Sequence, residues 1–265
     1  MERPTNWEGG GKQHDTCCRR PIGQDILYVL KNNAEFNMKS LGGENNMLYV
    51  MSDLHGEYEG FMNMLDKIGF GSGDKMYVLG DVIDRGRKPI YLLEFILEQC
   101  NIEMLLGNHE EMFLSYLCNR KDSILNQWLD NGGGTTLFQY EMLPPERKNN
   151  LLGYLQGLQL YKIVDDFILV HAGINAGNIR GNTVEEIMEW QKKDDLLWVR
   201  SDFYRSPALV GKTIIFGHTP TFILHGRCTI WHDEKYGDKI GIDCGRAYGG
   251  KIGCLRLDDM EEFYV

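Results

Sequence analysis

At 265 residues the chain is long enough for one large or two small domains around a sizeable core, and 43% hydrophobic with 25% charged residues is the balance of an ordinary soluble globular protein. A formal charge of -10 disfavours a protein that wraps a nucleic-acid backbone. No apolar run approaches the roughly 18 residues of a bilayer span, and the polar start MERPTNWEGGGK lacks a signal-type stretch, so a cytoplasmic protein without membrane contact is expected. Seven cysteines without a CxxC pair predict reduced thiols and no disulfide framework.

In chain order, residues 1–45 read as an N-terminal extension, loosely held at first, with a short helix from Gln24. Residues 46–265 form the main domain, and one pattern repeats through it. NMLYVM ends at SDLHG, KMYVL at GDVIDRG, IEMLL at GNHE, FILV at HAG and TIIF at GHTP. Each is a short apolar run followed by Gly or Ser and metal-capable side chains. EYEGFMNMLDKIGF shows a helical apolar face through Phe61, Met64, Leu65 and Ile68, and KPIYLLEFILEQC shows another that opens on Pro89. Strand, helix, strand, helix, strand at this spacing is a βαβαβ unit with parallel strands. Residues 110–160 predict a mostly helical insertion. After it LYKIVDDFILV, TIIF, TIWHD, KIGID and KIGCLRL predict a second, mixed sheet, so the fold class is α/β. The acidic end DDMEEFYV reads as a solvated tail, and Tyr248 in GRAYGG as part of a turn.

Side chains at the carboxyl ends of parallel strands converge on one crevice. The polar groups there are Asp53, His55, Asp81, Asp84, Arg85, Asn108, His109, His171 and His218. Carboxylate, imidazole and amide oxygen suit a pair of divalent ions, manganese first, with iron or zinc also accommodated. Two such ions need a bridge, which a carboxylate provides and an imidazole does not, so Asp81 in the middle strand takes that place. Asp53 and His55, spaced i,i+2, point the same way and would hold the first ion. Asn108, His171 and His218 would close around the second. Glu110 reads as a helix-start residue or a support behind the ligands.

In this order SDLHG, GDVIDRG, GNHE, HAG and GHTP resemble the calcineurin-like metallophosphoesterases, and among them the phosphoprotein phosphatase family of serine/threonine phosphatases, over about residues 47–257. The resemblance implies two mixed sheets packed as a central sandwich flanked by helices. It implies the same six metal ligands, a general acid at His109 with Asp84 supporting it, and phosphate-binding arginines at Arg85 and, through LLWVRSDF, at Arg200. A water shared by two cations ionises near neutral pH and attacks in line, while arginine forks neutralise the phosphoryl oxygens. Ser52 stands where the first motif usually has Gly. With WLDNGGGTTLFQY, the lack of a long C-terminal regulatory region points to the compact bacterial and phage-like branch.

The first expectation is therefore a phosphatase acting on phosphoserine or phosphothreonine, with phosphotyrosine as an extension, in phosphoproteins or phosphopeptides. The alternative is a symmetrical dinucleoside polyphosphate hydrolase, which uses the same framework and takes a nucleotide substrate. Arg120, Lys121, Arg147 and Lys148 could serve its phosphates, and Trp128 could stack a base or fill the core. A nuclease fits the negative charge poorly. A phosphoprotein-binding module without catalysis predicts missing ligands, and none is missing.

Overall fold

The computed structural model describes residues 46–208 and 210–265. The expectations for residues 1–45, including the helix from Gln24 and the thiols of Cys17 and Cys18, lie outside the described residues.

The βαβαβ unit forms as the spacing predicts. Strands β1 (Leu48–Met51), β2 (Lys75–Val78) and β3 (Ile102–Met104) run parallel, joined by helices α1 (Tyr58–Ile68) and α2 (Pro89–Glu98). Helix α1 buries Phe61, Met64 and Leu65 and ends on Gly69 in the left-handed region. Helix α2 starts with Pro89 at its first position, where a missing N–H costs nothing. The insertion follows as α3 (Asn108–Asn119), α4 (Asp122–Asp130), α5 (Gly134–Glu141) and α6 (Pro145–Gln156).

Next come β4 (Tyr161–Val164), β5 (Phe167–Val170), α7 (Val184–Glu189), α8 (Lys193–Trp198), α9 (Ser201–Tyr204), β6 (Thr213–Phe216) and α10 (Thr221–His225). The chain closes with β7 (Trp231–His232), β8 (Lys239–Gly241), β9 (Gly253–Arg256) and β10 (Glu262–Tyr264). Two five-stranded sheets result, ordered β10-β9-β1-β2-β3 and β4-β5-β6-β8-β7, each with parallel and antiparallel pairs.

Strand alternation builds three core layers. Val50, Tyr77 and Leu79 meet Leu169, Ile215 and Ile240 between the sheets. Tyr49, Met51, Met76 and Val78 face the helices on one side, and Ile168, Val170, Ile214 and Phe216 face α7–α9 on the other. The period-2 pattern thus gives each sheet two buried faces and makes the sandwich with flanking helices.

Two expectations need correction. KIGCLRL does not join the second sheet; as β9 it returns to the first and pairs antiparallel with β1. The acidic end is no solvated tail, because its last residues form β10 against β9. Both strands owe their place to pairing partners far away in sequence, which local pattern does not encode.

Candidate dinuclear metal centre

Register brings the motif residues together. Met51, Val78 and Met104 are aligned across the first sheet, so the turns after β1, β2 and β3 leave from one edge. Val170, Phe216 and Gly241 are aligned likewise in the second sheet, and His171, His218 and Asp243 follow them. The turns are sharply bent. Among the described residues nine non-glycine positions have positive φ, and six of them are Asp53, His55, Asp81, Asp84, Arg85 and His218. Conformations of this kind persist only where surrounding structure holds them, and they gather at functional sites. Neighbouring glycines make room: a Cβ on Gly86 would lie 2.0 Å from the His55 carbonyl oxygen, and one on Gly217 would lie 2.2 Å from Asp53 Oδ2.

Two donor groups share the Asp81 carboxylate. His55, Asp81 and His109 form one, and Asp81, His171 and His218 the other, each with its donor atoms within 4.8 Å of one another. Asp81 Oδ2 lies 3.8 Å from His55 Nε2 and from His109 Nε2, while Oδ1 lies 3.5 Å from His171 Nε2. Asn108 Oδ1 sits 2.8 Å from His171 Nε2 and 2.9 Å from His218 Nδ1. Asp53 joins from the side, its Oδ2 accepting from Ser52 Oγ at 2.5 Å and from the His218 amide at 2.9 Å. The first donor group thus joins His109 to His55 and Asp81, and Asp53, which the sequence reading sets beside His55, approaches with its Oδ2 bonded toward His218.

The chemistry of these donors fits divalent ions. Nδ1 of His55 donates to the Ile83 carbonyl at 3.0 Å and Nδ1 of His171 to the Leu79 carbonyl at 2.8 Å, so each neutral ring turns an unprotonated Nε2 inward. Burial, joined by neighbouring imidazoles and arginines, lowers the His55 pKa to about 3 and pushes His109 and His218 well below the ordinary value; burial also lowers His171. Burial first, and then the Asp53 and Glu110 charges, drives Asp81 well above the carboxylate range. Crowded carboxylates and inward lone pairs are what a pair of cations neutralises. The Arg85 guanidinium already lies there, with Nη1 2.9 Å from His55 Nε2 and Nη2 3.0 Å from His109 Nε2.

His109 and Asp84 meet as a dyad, Nδ1 donating to Asp84 Oδ2 at 2.6 Å, with neither side chain more than 2% exposed. The same Oδ2 accepts from Trp128 Nε1 at 2.7 Å, and Oδ1 accepts from Thr136 Oγ1 at 2.6 Å. Burial raises the Asp84 pKa to about 7 against the lowering effect of those bonds and of Arg85. Glu110 is fully buried and accepts from the amides of Asp81, Val82, Ile83 and Gly107, fastening the turn after β2 to the start of α3. Arg85 and Arg200 are both exposed at the rim, and Arg200 Nη1 donates to the His218 carbonyl at 2.9 Å.

All ten expected residues thus lie about one crevice, and the sequence reading missed three more. Trp128 is buried and unavailable for stacking a base, yet it holds Asp84 from α4, as Thr136 does from α5. Asp243 is buried beside Asp53, and burial together with that charge raises its pKa well above the ordinary range. KIGID followed by Cys244 repeats the apolar-run-then-acid pattern of the other strand ends, a signal that could have found it. Trp128 and Thr136 offered none, since only packing of the insertion on the core brings them to Asp84. Three of the insertion's four basic residues are engaged elsewhere: Arg147 pairs with Glu94, Lys148 with Glu141, and Arg120 with Glu141.

Similar proteins share this architecture. A bis(5'-nucleosyl)-tetraphosphatase PrpE, designated asymmetrical, from Anoxybacillus flavithermus is 25% identical over 249 residues, covering 83% of this chain and 94% of that protein. Its namesake from Bacillus cereus is 26% identical over 245 residues, covering 82% of this chain and 92% of that protein. A solved structure described as a candidate diadenosine tetraphosphatase superposes with a TM-score of 0.59 at 18% identity, over 85% of this chain and 95% of that one. A serine/threonine phosphatase from Saccharomyces cerevisiae does so at 0.55 and 14%, over 88% and 82%.

These relatives overturn the phosphoprotein phosphatase expectation, since the curated proteins similar along most of this chain are named for dinucleoside tetraphosphates. The physical reason is that the five motifs build a metal-capable centre of the kind phosphoesterases share, and contain nothing that reads what a phosphate is attached to. Among the described residues no helix is long and apolar enough to cross a membrane, and Cys100, Cys118, Cys228, Cys244 and Cys254 are free thiols. Residues 47–247 match the family model described as calcineurin-like phosphoesterase, and the chain, with histidine and aspartate groups suited to a dinuclear metal site, belongs to that family of metal-dependent hydrolases.

Proposed function

We propose that this protein hydrolyses dinucleoside polyphosphates, splitting a bis(5'-nucleosyl) tetraphosphate unevenly into a nucleoside triphosphate and a nucleoside monophosphate. The observation that carries this is the likeness to asymmetrical bis(5'-nucleosyl)-tetraphosphatases over more than nine-tenths of their length. In this reading Asp53, His55, Asp81, Asn108, His171 and His218 would hold two divalent ions, manganese by preference, and the Asp81 carboxylate belongs to both donor groups. When bound, such a pair supplies Lewis-acid polarisation and a strongly acidified water.

The chain's own residues do the rest. Arg85 and Arg200 present planar donor forks to the nonbridging phosphoryl oxygens. Asp84 accepts a hydrogen bond from His109 Nδ1–H and fixes the ring, so that Nε2 faces the crevice and can hand a proton to the departing oxygen. A phosphate dianion arriving between Arg85 and His109 takes over the guanidinium's bonds and favours the protonated imidazole.

Turnover of diadenosine tetraphosphate with added manganese tests the reading, with products separated by ion exchange: ATP plus AMP is expected. Two ADP would exclude the uneven cut, and no turnover by a protein that binds two equivalents of manganese would overturn the function. A second measurement follows from leaving-group chemistry. A departing phosphate is a far weaker base than an alkoxide, so His109→Asn should slow hydrolysis of an alkyl phosphomonoester by roughly 10²-fold or more and cost distinctly less on the dinucleotide.

A further inference from the structure

The crevice has an aromatic rim for which phosphoryl chemistry has no use. Tyr248 closes a short 3₁₀ turn, Arg246–Tyr248, between Gly245 and Gly249, both at positive φ. Its residue surface is 63% exposed, in contrast to the buried centre beside it. A single exposed aromatic is ordinary. Three observations set this one apart. Its ring centroid lies 5.6 Å from the guanidinium carbon of Arg85, the same guanidinium that reaches His55 and His109. Phe222, itself 36% exposed, meets it edge-on with centroids 5.8 Å apart at 78°. The turn is also tied to the metal side of the crevice, because Arg246 Nε and Nη2 both donate to Glu57 Oε2, at 3.0 and 2.6 Å, two residues beyond His55.

We infer that Tyr248 is the shelf on which one nucleobase of the substrate stacks, with Phe222 bracing it and the Arg246–Glu57 pair fixing its distance from the phosphate site. This rests on the dinucleotide reading and adds a residue that reads the nucleoside. The phosphate chain alone would find its partners in Arg85, Arg200 and the cations. A base needs a π-face within one ribose phosphate of them, and Tyr248 places one directly beyond Arg85. Stacking on an aromatic ring is tolerant of base identity and strengthens binding by roughly tenfold or more per base. Tyr248 should therefore favour nucleotides over bare phosphates without choosing strongly among bases.

The test compares ADP with inorganic pyrophosphate binding to the manganese-loaded protein by titration calorimetry, in wild type, Tyr248→Ala and Tyr248→Phe. Wild type should prefer ADP by about tenfold, Tyr248→Ala should lose most of that preference, and Tyr248→Phe should keep it. In turnover of diadenosine tetraphosphate the alanine variant should show its loss mainly in KM. Equal weakening of both ligands in Tyr248→Ala would mean that the ring merely places Arg85, and would overturn the inference. So would an ADP preference that survives the alanine variant or is absent from wild type. Failure of the dinucleotide reading looks different: no turnover of the dinucleotide, with a Tyr248-dependent ADP preference intact.

Discussion

Two buried polar clusters to which the second sheet contributes solve the same electrostatic problem in opposite ways. At the end of β5 and β6, His171 and His218 join Asp81, Asn108 and Asp53 in a group whose lone pairs point at one another. On the outer face of β8, Lys239 is 1% exposed, and its ammonium lies 2.8 Å from Asp233 Oδ2, is paired with Asp238 and donates to the Ser206 carbonyl at 2.9 Å. The carboxylate pKa values move in opposite directions. Burial drives Asp81 up, whereas at Asp233 burial is outweighed by the Lys239 ammonium and by the Tyr236 and Lys235 amides, so its pKa is lowered. A closed ion cluster supplies its own counter-charge and serves the fold. An open one leaves that charge to be brought in, and serves a ligand.

The contrast breaks most completely at Asp81. Asp81→Asn removes the carboxylate shared by both donor groups, and it should abolish turnover and stoichiometric manganese binding while urea unfolding of the metal-free protein shows no loss of stability. A large destabilisation without metal would place Asp81 with the structural cluster instead.

Lys239→Met makes the converse cut. It leaves Asp233 buried and unpaired and should cost about 3–5 kcal/mol in urea unfolding, with specific activity retained in the fraction that stays folded. Lys239→Met combined with Asp233→Leu should recover part of the loss.

Trp128→Phe sharpens the boundary, because it removes one hydrogen bond to Asp84 and keeps most of the packing against Phe113 and Tyr116. Activity should fall roughly 10- to 100-fold with little change in stability.

The smallest effect is pH dependence. Since the folded pKa of Asp233 lies below its unfolded value of about 4, its contribution to stability is present above pH 4 and is lost as pH falls through the folded value. Acid titration of unfolding free energy should show that loss in wild type and not in Asp233→Asn.

Much of this was legible in sequence because the relevant patterns are local. Period-2 runs mark strands, period-3.6 faces mark α1 and α2, and an apolar run that stops at Asp, His or Asn marks a strand end facing a crevice. Parallel pairing then brings those ends level, which is why nine scattered residues can be gathered from the sequence, while Arg200 follows from the family resemblance alone. Asp243, at the end of KIGID, belongs to the same pattern. Local pattern makes Tyr248 a turn residue and leaves Trp128 between core and stacking; the turn is real, but what each ring touches depends on segments 26 to 163 positions away, Phe222 and Arg85 for the one and Asp84 for the other.

By itself the sequence determined the cluster of metal-capable side chains, since such side chains at successive strand ends follow from local chemistry and one simple pairing rule. Only the tertiary structure decided what surrounds that centre. It returned β9 to β1, seated the insertion's Trp128 and Thr136 on Asp84, and set Tyr248 beyond Arg85. Those contacts arise from packing between segments remote in the chain, where many residue types share the same local pattern and three-dimensional complementarity selects among them.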